Sequence, residues 1–330
     1  MNDRMRPDLK QTVFNGMVTC SPRMLSLFEL IRRAAHSDVT TLLRGESGSG
    51  KELVARALHA EGARRSARFR AVNCASFTSE MLASELFGHV KGAFTGAVGS
   101  RDGLLVQADK GTLFLDEVAD IPADLQGRLL RVLQERRFRP LGGSVEKQVD
   151  IRIISATNTG LRDLVAQRKF REDLMYRLRV VILRLPPLRE REGDLELLTW
   201  TLIDRLNAKG GRQIHRISAD AWDAMQSYPW PGNIRELDNM LQGAFVLGLG
   251  PVLGVEDLLP ELRGEAPPID SIMLSTGHPD RPVTNELDAL ERRQLVDAWQ
   301  RFGGSRGKMA DALGISRSTL YRRLREHELV

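Results

Sequence analysis

Three observations predict an α/β fold, a mostly parallel sheet with helices on both faces, for the first part of this 330-residue chain. From about residue 14 to residue 185, short β-branched runs alternate with amphipathic helical stretches. A glycine-rich loop joins one of those runs to a helix. Another run ends in two adjacent carboxylates, at the place where open α/β sheets present their ligand crevice.

Residues 1–13 are polar and are expected to be disordered. The apolar runs 39–43, 69–72, 112–115, 151–155 and 180–183 have strand length. Helical segments such as 52–59 and 125–134 lie between them. Pro186-Pro187 closes the α/β part, 14–185. Residues 186–262 lose the β character and read as a helical lid, broken at Pro229 and Pro231-Gly232. Pro267, Pro268, Pro279 and Pro282 mark 263–285 as a linker. A last, all-α unit occupies 286–330.

Composition narrows the class. A hydrophobic content of 42% and a charged content of 28% are those of a soluble protein. With 48 Lys and Arg against 43 Asp and Glu, the net charge of +5 permits a nucleic-acid partner without demanding one. Cys20 and Cys74 form no ligand cluster or disulfide framework and read as reduced thiols of a cytoplasmic protein. No stretch approaches the ~20 apolar residues of a membrane span, and no secretory signal begins the chain.

Gly45-Glu46-Ser47-Gly48-Ser49-Gly50-Lys51 has the strand–loop–helix context of a phosphate loop. Its glycines let backbone N–H groups turn inward around phosphates. The helix start and Lys51 add positive charge. The usual Ser or Thr after the lysine is replaced by Glu52, so a metal must be held by other groups and water. Thr112-Leu113-Phe114-Leu115-Asp116-Glu117 delivers the carboxylates: Asp116 is placed to hold Mg²⁺ through water, and Glu117 to polarise an attacking water.

Near the carboxyl end, Met309-Ala310-Asp311-Ala312-Leu313-Gly314-Ile315-Ser316 has the helix-turn-helix pattern. Its following helix carries Arg317, Ser318, Thr319, Tyr321, Arg322 and Arg323, a set suited to phosphate and base contacts together. Between the phosphate loop and the acidic strand lies Gly92-Ala93-Phe94-Thr95-Gly96-Ala97. Glycines near both ends describe a hairpin able to change shape, with one aromatic ring and one hydroxyl presented at its tip.

In that position the hexapeptide resembles the GAFTGA signature of the sigma-54-dependent transcription activators, AAA+ ATPases also called bacterial enhancer-binding proteins. The Gly-Glu-x-Gly-x-Gly-Lys-Glu form of the loop, Glu52 included, fits that family. The tail resembles its Fis-type DNA-binding domain. A local departure is Val90 in His89-Val90-Lys91, where the family commonly has Glu.

The resemblance implies an ATPase with ATP and Mg²⁺ as cofactors, and roles for single residues. Asn73 matches the asparagine that restrains the catalytic glutamate; Thr157 and Asn158 match the polar tip near the γ-phosphate. Arg171 and Arg177 match fingers that reach a neighbouring subunit's nucleotide, and Arg235 matches the lid arginine. The first helical turn is a poor place for that cation unless a phosphate binds there. Fingers acting in trans imply a ring, of one chain or mixed with a related activator.

The implied partners are sigma-54 RNA polymerase, met by the Gly92–Ala97 tip, and an upstream DNA site. The short segment before residue 14 leads us to expect control by a separate regulator protein acting in trans, by expression level or by a partner activator. An alternative reading is a DNA-binding regulator that keeps the ATPase fold as a non-motor scaffold.

Overall fold

The computed structural model describes residues 3–6, 10–94 and 96–265. The chain divides at Ala266–Pro267, and all of these residues belong to the first unit. Thr95, most of the expected linker and the whole of 286–330, with Arg317 to Arg323, lie outside the described residues.

The sheet has five parallel strands: β1 (Thr41–Arg44), β2 (Phe69–Asn73), β3 (Thr112–Asp116), β4 (Arg152–Thr157) and β5 (Val181–Arg184), in the order β5-β1-β4-β3-β2. Every strand begins within two residues of its predicted run. Pairing sets Thr41 beside Ile154 and Val181, and Asn73 beside Asp116. The carboxyl ends of β2, β3 and β4 therefore bring Asn73, Asp116 and Thr157 to one edge.

Because successive side chains alternate across a strand, the sheet feeds two cores. Leu42, Leu113, Leu115 and Ile153 enter one core, with Leu82 and Leu86 of α3 (Ser79–Phe87), Leu125 and Leu129 of α4 (Ala123–Glu135), and Leu174 of α5 (Glu172–Leu178). Leu43, Phe114, Ile154 and Leu183 enter the other, against α1 (Pro22–Ala35) and α2 (Lys51–Ala60). Helices thus cover both faces, as an all-parallel sheet requires.

Arg152, the first residue of β4, is only 1% exposed. Its guanidinium donates to Ala34 O (2.8 Å), Ala35 O (3.1 Å) and Leu58 O (3.1 Å), carbonyls near the carboxyl ends of α1 and α2. Those carbonyls have no partner within their helices, so one planar cation ties two helix ends to the sheet. A Cβ on Gly62 would lie 2.9 Å from both the guanidinium and Leu58 O, so glycine is required beside it.

The lid comprises α6 (Asp194–Asn207), α7 (Ala219–Ser227) and α8 (Asn233–Leu247), packed around Trp222, Trp230, Leu237 and Leu241. It also contains two short parallel strands, Arg216–Ile217 and Val252–Leu253, which the helical reading of this region did not anticipate. Arg212 holds the loop after α8 by donating to Ala244 O, Leu249 O, Gly250 O and Val252 O and by pairing with buried Asp257 at 2.8 Å.

The amino terminus departs from expectation. Residues Thr12–Phe14 and Met17–Thr19 form a hairpin whose turn, Asn15-Gly16, has positive φ at both positions, as a tight two-residue hairpin needs. Arg4 exchanges two backbone hydrogen bonds with Ile217 of the lid (2.7 and 3.0 Å), and its guanidinium lies 4.9 Å from the Trp222 ring. What fastens the segment is the open edge of a distant two-residue strand, so its own polar sequence carries no sign of it. Among the described residues no helix is long and apolar enough to cross a membrane.

Replacing Arg152 by Met keeps much of the side-chain volume but leaves two buried carbonyls, Ala35 O and Leu58 O, without a partner, while Ala34 O keeps Ser37 N–H at 3.3 Å. The expected cost is about 3 kcal/mol, seen as a lower urea midpoint at unchanged slope; an unchanged midpoint would contradict this role.

Candidate functional site

The phosphate loop leaves β1 and enters α2 with Gly48 at φ 72° and Gly50 at φ 99°, conformations open to glycine. Lys51 is buried at 6% exposure. Its Nζ donates to Gly45 O (3.0 Å), Glu46 O (3.4 Å) and Glu117 Oε1 (3.2 Å). The lysine is thus aimed across the loop at the acidic strand end. Glu52, by contrast, pairs with Arg56 at 2.7 Å along the exposed side of α2.

Asp116 and Glu117 leave β3 into the single turn Val118–Asp120, with Glu117 at φ 47°. Glu117 Oε2 accepts from the Asn158 backbone N–H at 3.2 Å, and Glu117 N–H donates to Asp116 Oδ1 at 3.1 Å. Burial, and next the charge of Glu117, push the Asp116 carboxyl above its usual range. Two adjacent carboxylates in a half-buried crevice favour a cation between them and a phosphate. Among the described residues no group of three or more His, Cys, Asp or Glu could hold a metal alone. The donor set therefore fits Mg²⁺ held by a carboxylate, water and a ligand's phosphates, the usual arrangement for that ion.

Thr157 is fully buried at the end of β4, and its hydroxyl accepts from Thr159 N–H at 3.0 Å. Asn73 accepts from Ala75 N–H at 2.9 Å, capping the turn Cys74–Ser76. It lines the cleft, but makes no hydrogen bond to Glu117; that carboxylate is held by Lys51 and Asn158 instead.

The lid closes the cleft from above. Arg235 Nη1 donates to Ser47 Oγ at 2.9 Å, and Ile234 N–H to Gly48 O at 3.2 Å. Buried Arg191 donates to Ser49 O (2.6 Å) and Pro186 O (2.9 Å). Fully buried Asn233 donates to Ser47 O at 3.0 Å and accepts from Leu188 N–H at 2.7 Å. The Glu46 carboxylate turns away from the cleft to Arg189 of the lid, which holds it below the usual carboxylate range.

Between these walls lies a cavity of about 430 Å³ bounded by Ser47, Lys51, Asn73, Asp116, Glu117 and Arg235. An apolar pocket of about 220 Å³ adjoins it, lined by Met17, Val18, Leu185, Leu198, Leu202 and Ile234. Sequence reasoning missed this pocket. Its walls come from five separate stretches of the chain, none with a local pattern that distinguishes it from core.

Arg171 pairs with Asp173 at 2.8 Å on the surface, while its backbone N–H donates to Gln126 Oε1. Arg177 is exposed on α5 and makes no side-chain hydrogen bond or ion pair among the described residues. Neither lines the cleft of its own chain. Cys20 and Cys74 are both free; burial pushes the thiols up to about 11 and about 12, keeping them protonated.

The Gly92–Ala97 hairpin stands on a two-residue stem, Gly88–His89 paired with Arg101–Asp102. Gly92 (φ 81°) and Gly96 (φ 103°) turn the chain, and Gly92 N–H donates to Ala97 O at 2.9 Å. Phe94 departs from the outward presentation expected for it. Its ring is half-buried, edge-on to His89 with centroids 5.1 Å apart. Val90 faces the neighbouring turn, where a Cβ on Gly142 would lie 3.3 Å from Val90 Cγ2.

Comparisons with known proteins agree with this architecture. Residues 17–184 match the sigma-54 interaction domain, 189–271 the AAA+ ATPase lid domain, and 286–327 the Fis family of bacterial regulatory proteins. The chain is 42% identical to the regulatory protein AtoC of Escherichia coli over 94% of its own length and 67% of that protein. It is 39% identical to the DNA-binding transcriptional regulator NtrC of Azospirillum brasilense, covering 69% of it. Against UacR of Escherichia coli it is 42% identical but spans only 53% of the relative. The crystal structure of NtrX from Brucella abortus in complex with ATP superposes with a TM-score of 0.69 at 34% identity, over 94% of this chain and 69% of that one.

The close approach of lid and loop makes a sharp test. A Cβ on Gly48 would lie 2.1 Å from Gly232 O and 2.9 Å from Arg235 Cβ, whereas one on Gly50 meets nothing within 4 Å. Both positions carry the left-handed penalty of roughly 1–2 kcal/mol. Gly48→Ala should therefore cost about 1–3 kcal/mol more than Gly50→Ala in urea unfolding. Equal costs would mean that the lid does not rest on the loop.

Proposed function

The chain belongs to the sigma-54-dependent transcription regulators, and from that membership we propose that it hydrolyses ATP to remodel the closed complex of sigma-54 RNA polymerase. The observation that carries the reading is the convergence of Lys51, Asp116, Glu117 and Arg235 on one cleft beneath the lid. A regulator keeping this fold only as a scaffold has no need of that alignment.

The triphosphate lies along the N–H groups at the start of α2, where the loop and helix dipole favour anions. The adenine enters the apolar pocket beside Met17 and Val18. Lys51 gives up its contacts with Gly45 O and Glu117 for the terminal phosphates. Asp116, with water, would hold Mg²⁺, which when bound would neutralise phosphate charge. Glu117, kept in orientation by Asn158 N–H, then has Oε1 free to accept a hydrogen bond from the attacking water. The new bond forms between that water and the γ-phosphorus as the bond to the ADP oxygen breaks; the proton leaves through Glu117 to solvent.

Arg235 steadies the phosphates from the lid. Arg171 and Arg177, remote from their own cleft, serve a neighbour's nucleotide in a ring, homo-oligomeric or mixed. Mixing Arg171→Ala and Lys51→Ala proteins should then restore some hydrolysis at interfaces that combine an intact loop with an intact finger. No recovery in rings shown to be mixed would count against the trans role.

The output lies elsewhere on the chain. Phe94 must leave His89 to meet sigma-54 together with Thr95. The Fis-type segment, through Arg317, Ser318, Thr319, Tyr321, Arg322 and Arg323, binds the upstream DNA. A cytoplasmic location completes the reading.

Two measurements test it. Lys51→Ala should abolish detectable nucleotide binding. Glu117→Gln should keep affinity near that of the unaltered protein and lower turnover by roughly 10²–10⁴-fold; equal loss of affinity in both would refute the division of labour. Thr95→Ala should retain DNA binding and some hydrolysis, yet fail to open a sigma-54 promoter with purified polymerase. Normal opening by that variant would remove the main support for the proposed function.

A further inference from the structure

We infer that Glu46, Arg189 and Asn233 form a bridge that positions the lid over the phosphate loop, making Glu46 a positioning residue for Arg235 and not a phosphate ligand. Glu46 is the second residue of the loop, yet its carboxylate does not line the cleft. It accepts a two-pronged hydrogen bond from Arg189, Nη2 to Oε1 at 2.5 Å and Nη1 to Oε2 at 2.9 Å. Oε2 also accepts from Asn233 Nδ2 at 3.1 Å.

Asn233 carries the connection inward. It sits at φ 54°, a left-handed conformation that Asn tolerates better than other side chains with a Cβ. Its amide joins Glu46, Ser47 O and Leu188 N–H, so the loop, the first turn of the lid (Leu188–Glu190) and the start of α8 meet on one buried side chain. Arg235 follows two residues later, already on Ser47. Any tilt of the lid that breaks this junction carries Arg235 away from the loop.

The charge pattern favours positioning over stabilisation. Side chains of Arg189 and Glu46 are 43% and 40% exposed, a setting in which ion pairs add little to stability. A two-pronged guanidinium–carboxylate pair does, however, fix direction. A free carboxylate in an anion-binding loop would oppose phosphate, and pairing with Arg189 removes that opposition. The effect on Arg235 rests on the ATPase reading above; the bridge rests on its own geometry.

The test uses the full chain and begins without nucleotide. Glu46→Ala and Arg189→Ala should each speed amide exchange in peptides covering 186–190 and 232–236 by tenfold or more, with the strands unchanged. The double variant should be no faster than either single one, and Glu46→Gln, which loses the two-pronged pair but keeps an acceptor for Asn233, should speed exchange no more than Arg189→Ala does. In steady-state hydrolysis, Glu46→Ala should raise KM for ATP at least fivefold. The same change in an Arg235→Ala background should have less than a twofold effect, with the melting temperature moving little in either.

Unchanged exchange would overturn the bridge. Full additivity with Arg235→Ala would overturn the positioning role. Absence of hydrolysis by the unaltered chain would instead refute the proposed function, while the exchange measurement still decides the bridge.

Discussion

The seating of the lid on the phosphate-loop backbone is the constraint on which the rest of this structure depends. Arg191 and Asn233 reach Ser49 O and Ser47 O, and Gly48 and Gly232 approach too closely for any side chain. On the lid's other flank, buried Asp194 accepts from Thr19 Oγ1, Cys20 N–H and Ser21 N–H, which binds the amino-terminal hairpin into the same junction. These groups are buried and mutually satisfied, so losing one leaves another unpaired at a cost well above the worth of a single bond. The cleft and the apolar pocket exist because three segments converge here.

The carboxyl edge of the sheet is also joined to the hairpin through α3. Asn73 ends β2 beside Asp116 and caps the turn Cys74–Ser76, which runs into α3. Ser79 at the start of α3 bonds Asp124 of α4, and α3 ends at Gly88, the first residue of the hairpin stem. Gly88 is packed so tightly that a Cβ would lie 2.4 Å from Arg101 O. α3 thus lies between the carboxyl edge of the sheet and the stem that carries Phe94.

Much of this was legible in the sequence, for a physical reason. The three central strands, β1, β3 and β4, are buried on both faces and need continuous apolar runs, and all five runs lie within two residues of their strands. The phosphate loop and acidic pair were legible because their chemistry demands fixed residue types at fixed spacing. What could not be read depends on partners distant in sequence. Residues 3–6 look like a free end until the edge of the lid strand Arg216–Ile217 is in place. Phe94 reads as an exposed tip until His89 is set beneath it by the stem pairing. Glu46 looks like part of the phosphate cradle, and only Arg189, 143 positions away, turns it outward.

The proposed function requires that chemistry at Lys51 and Glu117 be delivered as a contact made by the Phe94 tip. A photo-crosslinking phenylalanine analogue at position 94, mixed with purified sigma-54, measures that contact directly. The account predicts crosslinks when ADP with aluminium fluoride, a mimic of the hydrolysis transition state, fills the cleft, and few without nucleotide, when the ring rests on His89. Equal crosslinking in both states, or none in either, would contradict it.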